Sequence, residues 1–282
     1  HKRQRPGVLL GVTGCMAQHL RGRLLAHSRW LDLVLGPDSY RDLPALLARA
    51  ARAPVAHAEP DPEETYGDLE PLRAPGVRAW VPVQRGCDQY CAYCVVPYAR
   101  GRERSLPLAG VLRTVGAAVA GGCREVVLLG QTVNSWRDGG RDFADLLRAV
   151  RDVDGLRRVR FMSPHPAHVT PRLLEVLAEG GAVCPQLHLP LQSAADPVLA
   201  AMGRGHTLAD YDDVVRRLRA AVPDLALSTD VIVGFPGETE ADFERTANYL
   251  SETRFDGAFL FKYSARPGTR AAGLPETVDE AE

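Results

Sequence analysis

From Val77 onward, short β-branched runs alternate with stretches of helical period. Apolar runs predict strands near Ala79 to Gln84, Glu125 to Gln131, Val159 to Ser163, Gln186 to Gln192, Ser228 to Gly234 and Ala258 to Tyr263. Between them, apolar residues spaced three and four apart predict helices over Leu108 to Ala120, Phe143 to Val150, Pro171 to Ala178, Leu208 to Ala221 and Asp242 to Ser251. Pro171 suits a first helical turn, and Thr239 with Asp242 three residues on has the form of a helix start. Repeated βα units of this kind build a parallel sheet, and six of them curved on themselves form a partial (β/α)6 barrel in the α/β class. Such barrels carry their chemistry at the C-terminal strand ends, so the loops after each strand are the places to look.

Upstream of residue 77 the pattern changes. Ala53 to Gly76 is rich in Pro, Ala and acidic side chains, and residues 61–76 read as a linker. Residues 1–60 open with a strand running into a glycine turn, Val8-Leu9-Leu10-Gly11-Val12-Thr13-Gly14-Cys15. They offer a helix and a strand or two, too little for an independent core, as in the C-terminal part of a small α/β domain.

Composition narrows the function classes. A chain of 282 residues with 45% hydrophobic content can bury a substantial core. No apolar run approaches the roughly 20 residues a membrane helix needs, and no secretory cleavage pattern follows the basic N-terminus; a cytoplasmic protein, acting as a single copy and without a membrane partner, is expected. The net charge of −1 gives no global basic field for nucleic acid, so any such site must be a local patch. The basic residues are almost wholly arginine, with Lys2 and Lys262 the two lysines.

Three of the six cysteines crowd into Gly86-Cys87-Asp88-Gln89-Tyr90-Cys91-Ala92-Tyr93-Cys94, a CxxxCxxC segment at the end of the first barrel strand. In a reducing compartment such crowding points to metal rather than disulfides. Thiolates suit zinc or an iron-sulfur cluster. Structural zinc takes four protein ligands, and no fourth Cys or His stands at finger spacing; three thiolates on a tight loop fit three corners of a cubane and leave one iron open. An open iron can chelate the amino and carboxylate groups of S-adenosylmethionine (SAM) and pass it one electron, the cofactor carrying the hard chemistry. Cys123 and Cys184 fall in helix-end and strand-start contexts and read as buried, inert thiols.

With an aromatic residue before the third cysteine and a six-fold βα repeat, the segment resembles the radical SAM superfamily. Further stretches narrow the likeness: Val95-Val96-Pro97-Tyr98, Gly130-Gln131-Thr132-Val133-Asn134, Ser163-Pro164-His165-Pro166, Leu187-His188-Leu189-Pro190-Leu191-Gln192-Ser193, Asp230-Val231-Ile232-Val233-Gly234-Phe235-Pro236-Gly237-Glu238 and Ser264-Ala265-Arg266-Pro267-Gly268. Together they resemble the radical SAM methylthiotransferases, most closely the tRNA-2-methylthio-N6-dimethylallyladenosine synthases. The resemblance implies that residues 77–282 form the radical SAM domain. It also implies a 4Fe-4S cluster on Cys87, Cys91 and Cys94, with SAM as cofactor. The implied reaction adds a methylthio group to the adenine C2 of N6-dimethylallyladenosine beside the tRNA anticodon, with electrons from a donor such as a flavodoxin or ferredoxin. A second 4Fe-4S cluster is implied for the full-length protein, and Cys15 stands where the last of its three cysteines would be. The other two, and the family's C-terminal RNA-binding β-barrel, have no counterpart here, so the chain is expected to cleave SAM but to transfer sulfur poorly. Leu106, Thr132, Ala194-Ala195, Ala265 and Arg270 depart from the family pattern.

For the SAM site the resemblance implicates Tyr93, Gly130, Gln131, Ser163, Gln192, Asp230 and Ile232, each also readable as an ordinary strand-end or core residue. Arg100, Arg102 and Arg104 follow the cysteines directly and could grip a phosphate or stack on an unpaired base of the anticodon loop; the plainer reading is a solvated charge run. His165, His168 and His188 read as local hydrogen-bonding groups. Rival functions are a methylthiotransferase acting on a ribosomal-protein aspartate or a threonylcarbamoyladenosine tRNA, and a non-catalytic iron-sulfur or RNA-binding module.

Overall fold

The computed structural model describes residues 2–5, 7–275 and 278. His1 and Glu282, the outer bounds of the expected 1–60 and 77–282 segments, lie outside the described residues. The chain divides into two compact units, one comprising residues 1–64, 85–90 and 95–104, the other 65–84, 91–94 and 105–282. The division runs through the cysteine segment, placing Cys87 in the first unit and Cys91 and Cys94 in the second.

In the first unit, β1 (Gly11–Thr13), β2 (Leu33–Leu35) and β3 (Val55–His57) form a parallel sheet in that order. Helices α1 (Cys15–Leu20), α2 (Arg23–His27), α3 (Leu43–Ala50) and α4 (Val96–Arg100) accompany it. Leu33, Leu35 and Val55 of the sheet bury against Leu46 and Ala50 of α3. This is more structure than the sequence pattern promised, because strands of three residues are too short to show a period. The buried Gln18 side chain donates to the Ala58 carbonyl at 2.6 Å, tying α1 to the chain after β3.

The second unit is the barrel. Its strands are β4 (Arg78–Pro82), β7 (Glu125–Leu129), β8 (Arg158–Phe161), β9 (Gln186–His188), β10 (Ala226–Val233) and β11 (Gly257–Lys262); β5 (Gln84–Arg85) and β6 (Arg104–Ser105) are two-residue strands flanking the cysteine segment. All the barrel pairings are parallel, β4-β7-β8 and β9-β10-β11, and a parallel bridge between Val159 and Val183 joins the two sets. Strand order within each set therefore follows chain order, the βα progression of an incomplete barrel.

Helices α5 (Leu108–Ala120), α6 (Phe143–Arg151), α7 (Pro171–Glu179), α8 (Asp196–Met202), α9 (Leu208–Ala221) and α10 (Glu240–Thr253) cover the strands. Their apolar faces, among them Val111, Leu146, Val176, Tyr211 and Leu218, are sealed against Val81, Val126, Phe161, Leu187 and Leu227. Truncating one such leucine to alanine costs roughly 2–5 kcal/mol. Reciprocal side-chain caps start α6 (Asp142 with Asp145), α9 (Thr207 with Asp210) and α10 (Thr239 with Asp242). Asp242 is thus the third residue of α10 rather than its beginning, which lengthens that helix relative to the sequence expectation.

Strand β9 stops early, at His188, because Pro190 has no N–H to give the ladder; pairing resumes as a single bridge between Gln192 and Val231. Among the described residues, no helix is long and apolar enough to cross a membrane.

Candidate functional site

Gly86 opens the cysteine segment with φ 78°, and a Cβ there would lie 2.0 Å from the Arg102 carbonyl oxygen, so only glycine fits. Cys87 follows, buried, its N–H bonded to the Gly101 carbonyl at 3.2 Å and its Sγ accepting from the Gln89 N–H at 3.5 Å. In the second unit Cys91 is buried and Cys94 half-buried, with the Cys94 N–H donating to the Cys91 carbonyl at 3.0 Å. The intervening Ala92 is held on both sides, its N–H by Met202 O at 2.7 Å and its carbonyl by the Ala271 N–H at 2.9 Å.

All six cysteines are free thiols. Among the described residues, no three His, Cys, Asp or Glu side chains converge as ligands of one ion would. A cubane asks for something else: each thiolate takes a different iron, so its ligands stand apart. Reduced thiols on a pinned, turn-rich loop fit that donor set.

The strand ends of the second unit carry the other candidate residues. At the end of β7, a Cβ on Gly130 would meet Gln84 Oε1 and Val133 Cα, each at 2.9 Å, so this position too is kept bare by close backbone approach. Next to it, Gln131 carries a buried carbonyl oxygen with no hydrogen-bond partner. Ser163, after β8, and Gln192, after β9, have φ of 61° and 74°. Non-glycine residues in this region cost of order 1–3 kcal/mol each and persist where the surroundings over-determine them. Gln192 is locked by its N–H to Asp230 O at 2.8 Å and by the Ile232 N–H to its own carbonyl at 3.0 Å.

Tyr93 and Ile232 come together, both packed against a small apolar cluster of Ala92, Ala195, Val198, Met202, Phe235 and Ala271. Burial pushes the Tyr93 phenol above its ordinary range, with the Arg204 charge pulling the other way. Asp230 does not stand open: its Oδ2 is 3.1 Å from His188 Nε2, and His188 Nδ1 is 3.0 Å from Ser228 Oγ.

The three arginines after the cysteines part company. Arg100 donates through Nε to Cys15 Sγ at 3.1 Å, which places both on facing helices α1 and α4. Arg104 is turned inward: its side chain is 8% exposed, engaged by the Asp38 carboxylate at 3.3 Å and by the Asp61 carbonyl. Of the three arginines Arg104 is thus the one most engaged within the first unit, and reaching a phosphate would cost it these contacts and leave Asp38 with Arg85 alone of its two arginines. Arg102 alone of the three is exposed, holding Asp88 through two bonds of 2.7 and 3.1 Å.

Two participants escaped the sequence reading. Arg204, buried between Gly203 and Gly205, sets its Nη1 3.4 Å from Cys91 Sγ. A short Ala-rich helix, α8, precedes it, and that helix gave no pattern of its own; the Gly-Arg-Gly triplet was the available signal. Glu238 closes the turn after β10, accepting from the N–H groups of Gly234 and Phe235, and burial raises its carboxyl above the ordinary range. Beside Arg204, burial, with the Arg204 charge second, pushes His165 down to about 2; the same two causes lower His206. Both imidazoles keep a buried Nε2 without a partner.

Residues 81–250 match the model of the radical SAM superfamily. Solved structures of low sequence identity share the fold. A cobalamin-dependent SAM radical enzyme, OxsB, with aqua-cobalamin and SAM bound, superposes with TM-score 0.63 at 13% identity, over 94% of this chain and 41% of that one. The radical SAM methyltransferase TsrM from Kitasatospora setae, with cobalamin and a [4Fe-4S] cluster bound, gives TM-score 0.57 at 18% identity, over 68% and 38%. Much closer in sequence are proteins described as tRNA-2-methylthio-N(6)-dimethylallyladenosine synthase. The one from Chlorobium limicola is 45% identical over 99% of this chain and 64% of its own length. The one from Magnetococcus marinus is 46% identical over 98% and 65%. The chain therefore spans just under two thirds of these relatives.

Proposed function

The chain belongs to the radical SAM superfamily, whose cofactors are a 4Fe-4S cluster and SAM, and on that premise we propose that it is the radical SAM portion of a tRNA methylthiotransferase. The substrate is the adenine C2 of N6-dimethylallyladenosine beside the anticodon. The observation that carries this reading is the CxxxCxxC segment of free thiols in a chain about 45% identical to synthases of that description along nearly its whole length.

When bound, cluster and SAM supply one-electron cleavage of a carbon–sulfur bond and a species able to take hydrogen from an unreactive carbon. Everything else falls to the protein. Cys87, Cys91 and Cys94 hold the cluster. Gly130 lets Gln84 and Val133 close in beside Gln131, whose unpartnered oxygen is an acceptor for an ammonium or hydroxyl. Ser163 and Gln192, held in the left-handed region, present polar groups at adjoining strand ends. Tyr93 and Ile232 offer an apolar wall to an adenine ring. Arg102, whose exposed pair with Asp88 is weak in water, can exchange it for a phosphate of a splayed anticodon loop. Cys15 would serve a second 4Fe-4S cluster in the full-length protein. The reducing electron would come from a flavodoxin or ferredoxin in the cytoplasm, to a single copy of the protein.

Reconstituted anaerobically with iron and sulfide and reduced by dithionite, the chain is expected to release 5′-deoxyadenosine from SAM. In Cys91→Ala the rate should fall at least about 100-fold while circular dichroism stays unchanged. Equal rates in the two proteins would break the cofactor reading. Mass spectrometry of tRNA exposed to the full-length protein tests the substrate: an unchanged mass at the dimethylallylated adenosine, with cofactor cleavage intact, would move the reaction to another acceptor.

A further inference from the structure

Arg204 lies outside the residues that the sequence marks for the cofactor, yet its side chain is built into the cysteine loop. It is 6% exposed, with Nη1 3.4 Å from Cys91 Sγ, Nη2 3.5 Å from the Pro190 carbonyl, and a buried Nε that has no partner. The separation is set by main chain. Arg204 N–H is bonded to Leu199 O at 3.0 Å at the end of α8, and Met202, two residues earlier, receives the Ala92 N–H at 2.7 Å. The residue after Cys91 and the residue two before Arg204 are thereby stitched together, and the Ala271 N–H pins Ala92 from the far side.

A buried guanidinium is costly unless an anion answers it. Among the described residues no carboxylate pairs with it; its nearest partners are Cys91 Sγ and the Pro190 carbonyl. Burial and the Arg204 charge lower the proton affinity of both nearby imidazoles, His165 and His206, so the fixed positive charge here is that of Arg204. A thiolate at Cys91 is the anion this cation lacks.

We propose that Arg204 is a positioning residue for the cluster: its N–H group bonds the Cys91 thiolate, and its charge raises the cluster's reduction potential. The electron balance is simple. A low-potential one-electron donor gives up one electron, the cluster gains one unit of negative charge, no proton moves, and the fixed guanidinium stabilises the product more than the reactant. Hydrogen bonds to cluster sulfurs are a recognised means of setting such potentials. The inference rests on Cys91 being a cluster ligand.

The test is a dithionite titration of the reconstituted chain followed by electron paramagnetic resonance, with iron and sulfide counted per chain. In Arg204→Met, the ratio of reduced to oxidised cluster at the wild-type midpoint should fall at least tenfold, a midpoint about 59 mV lower for one electron. Arg204→Lys, which keeps a charge but loses the fork, should fall by less. An unshifted midpoint in Arg204→Met at full cluster content overturns the proposal. If that variant holds no cluster, Arg204→Lys decides: a lowered midpoint supports the proposal and an unchanged one overturns it. Loss of the cluster from both variants also overturns it, by making Arg204 a folding residue of the loop. A wild-type chain without a cubane signal would instead break the assignment of Cys91.

Discussion

The two ends of the barrel treat their polar groups in opposite ways. At the N-terminal ends of the strands, Glu125 is 4% exposed and fully answered: Arg78 and Arg158 donate to it at 2.6 and 2.7 Å, with Arg160 at 3.5 Å. At the C-terminal ends, Gln131, His165, Arg204 and His206 each keep a buried polar atom without a partner, and Ser163 and Gln192 sit in strained backbone. Buried polar groups are normally satisfied, so this group of orphans sets the C-terminal end apart from the answered carboxylate at the other. On the proposed function the floor holds the barrel together and the mouth takes the cofactor, as parallel barrels in general divide these tasks.

The largest effect separating the two ends should come from Glu125→Gln. Removing the carboxylate leaves three guanidiniums clustered; since Arg78 and Arg158 are half-exposed, a loss of about 2 kcal/mol is expected by urea unfolding. Deoxyadenosine release per folded molecule should not change. A parallel loss of that activity would break the division of labour.

Gln192→Gly probes the mouth. Relief of strain at φ 74° and the greater flexibility of an unfolded glycine oppose each other, so stability should stay within about 1 kcal/mol of wild type. The KM for SAM should rise about tenfold. A marked loss of stability with KM unchanged would make Gln192 a structural residue like Glu125.

A third difference is in pH. His165, near 6.5 when unfolded and about 2 when folded, binds its proton more weakly in the native state. Its contribution to stability is therefore full above pH 6.5 and lost as pH falls below it, with a slope of at most about 1.4 kcal/mol per pH unit. Subtracting the urea-derived stability of His165→Asn from wild type between pH 7 and 5 should reveal that slope. A flat difference would mean the imidazole is not held neutral by its surroundings.

How much of this was legible beforehand depends on the range of the interaction. Helices α5 and α9 begin and end where the apolar spacing predicted, Leu108 to Ala120 and Leu208 to Ala221, because an amphipathic stripe is a local signal. The three close-set cysteines are local too, and were visible as a motif. The inward turn of Arg104 was not legible because its partner Asp38 is 66 positions away and nothing in either neighbourhood announces the pair. Arg204 and Cys91, 113 positions apart, were hidden for the same reason. The backbone strain at Gln192 arises where Pro190 interrupts one ladder and Asp230 resumes it, a tertiary outcome that no single segment encodes.

Asp38 carries a last consequence. Within the first unit, this one carboxylate receives Arg85 at 3.0 Å and Arg104 at 3.3 Å, the residues that open and close segment 85–104. The chain thus ties off its own loop before any metal arrives, and much of the entropy of closing it is already lost. Iron would then enter a ready-made harness, unlike the metals of small domains that fold only around their ion. Stripping the iron with a chelator should accordingly leave a folded protein that can be loaded again.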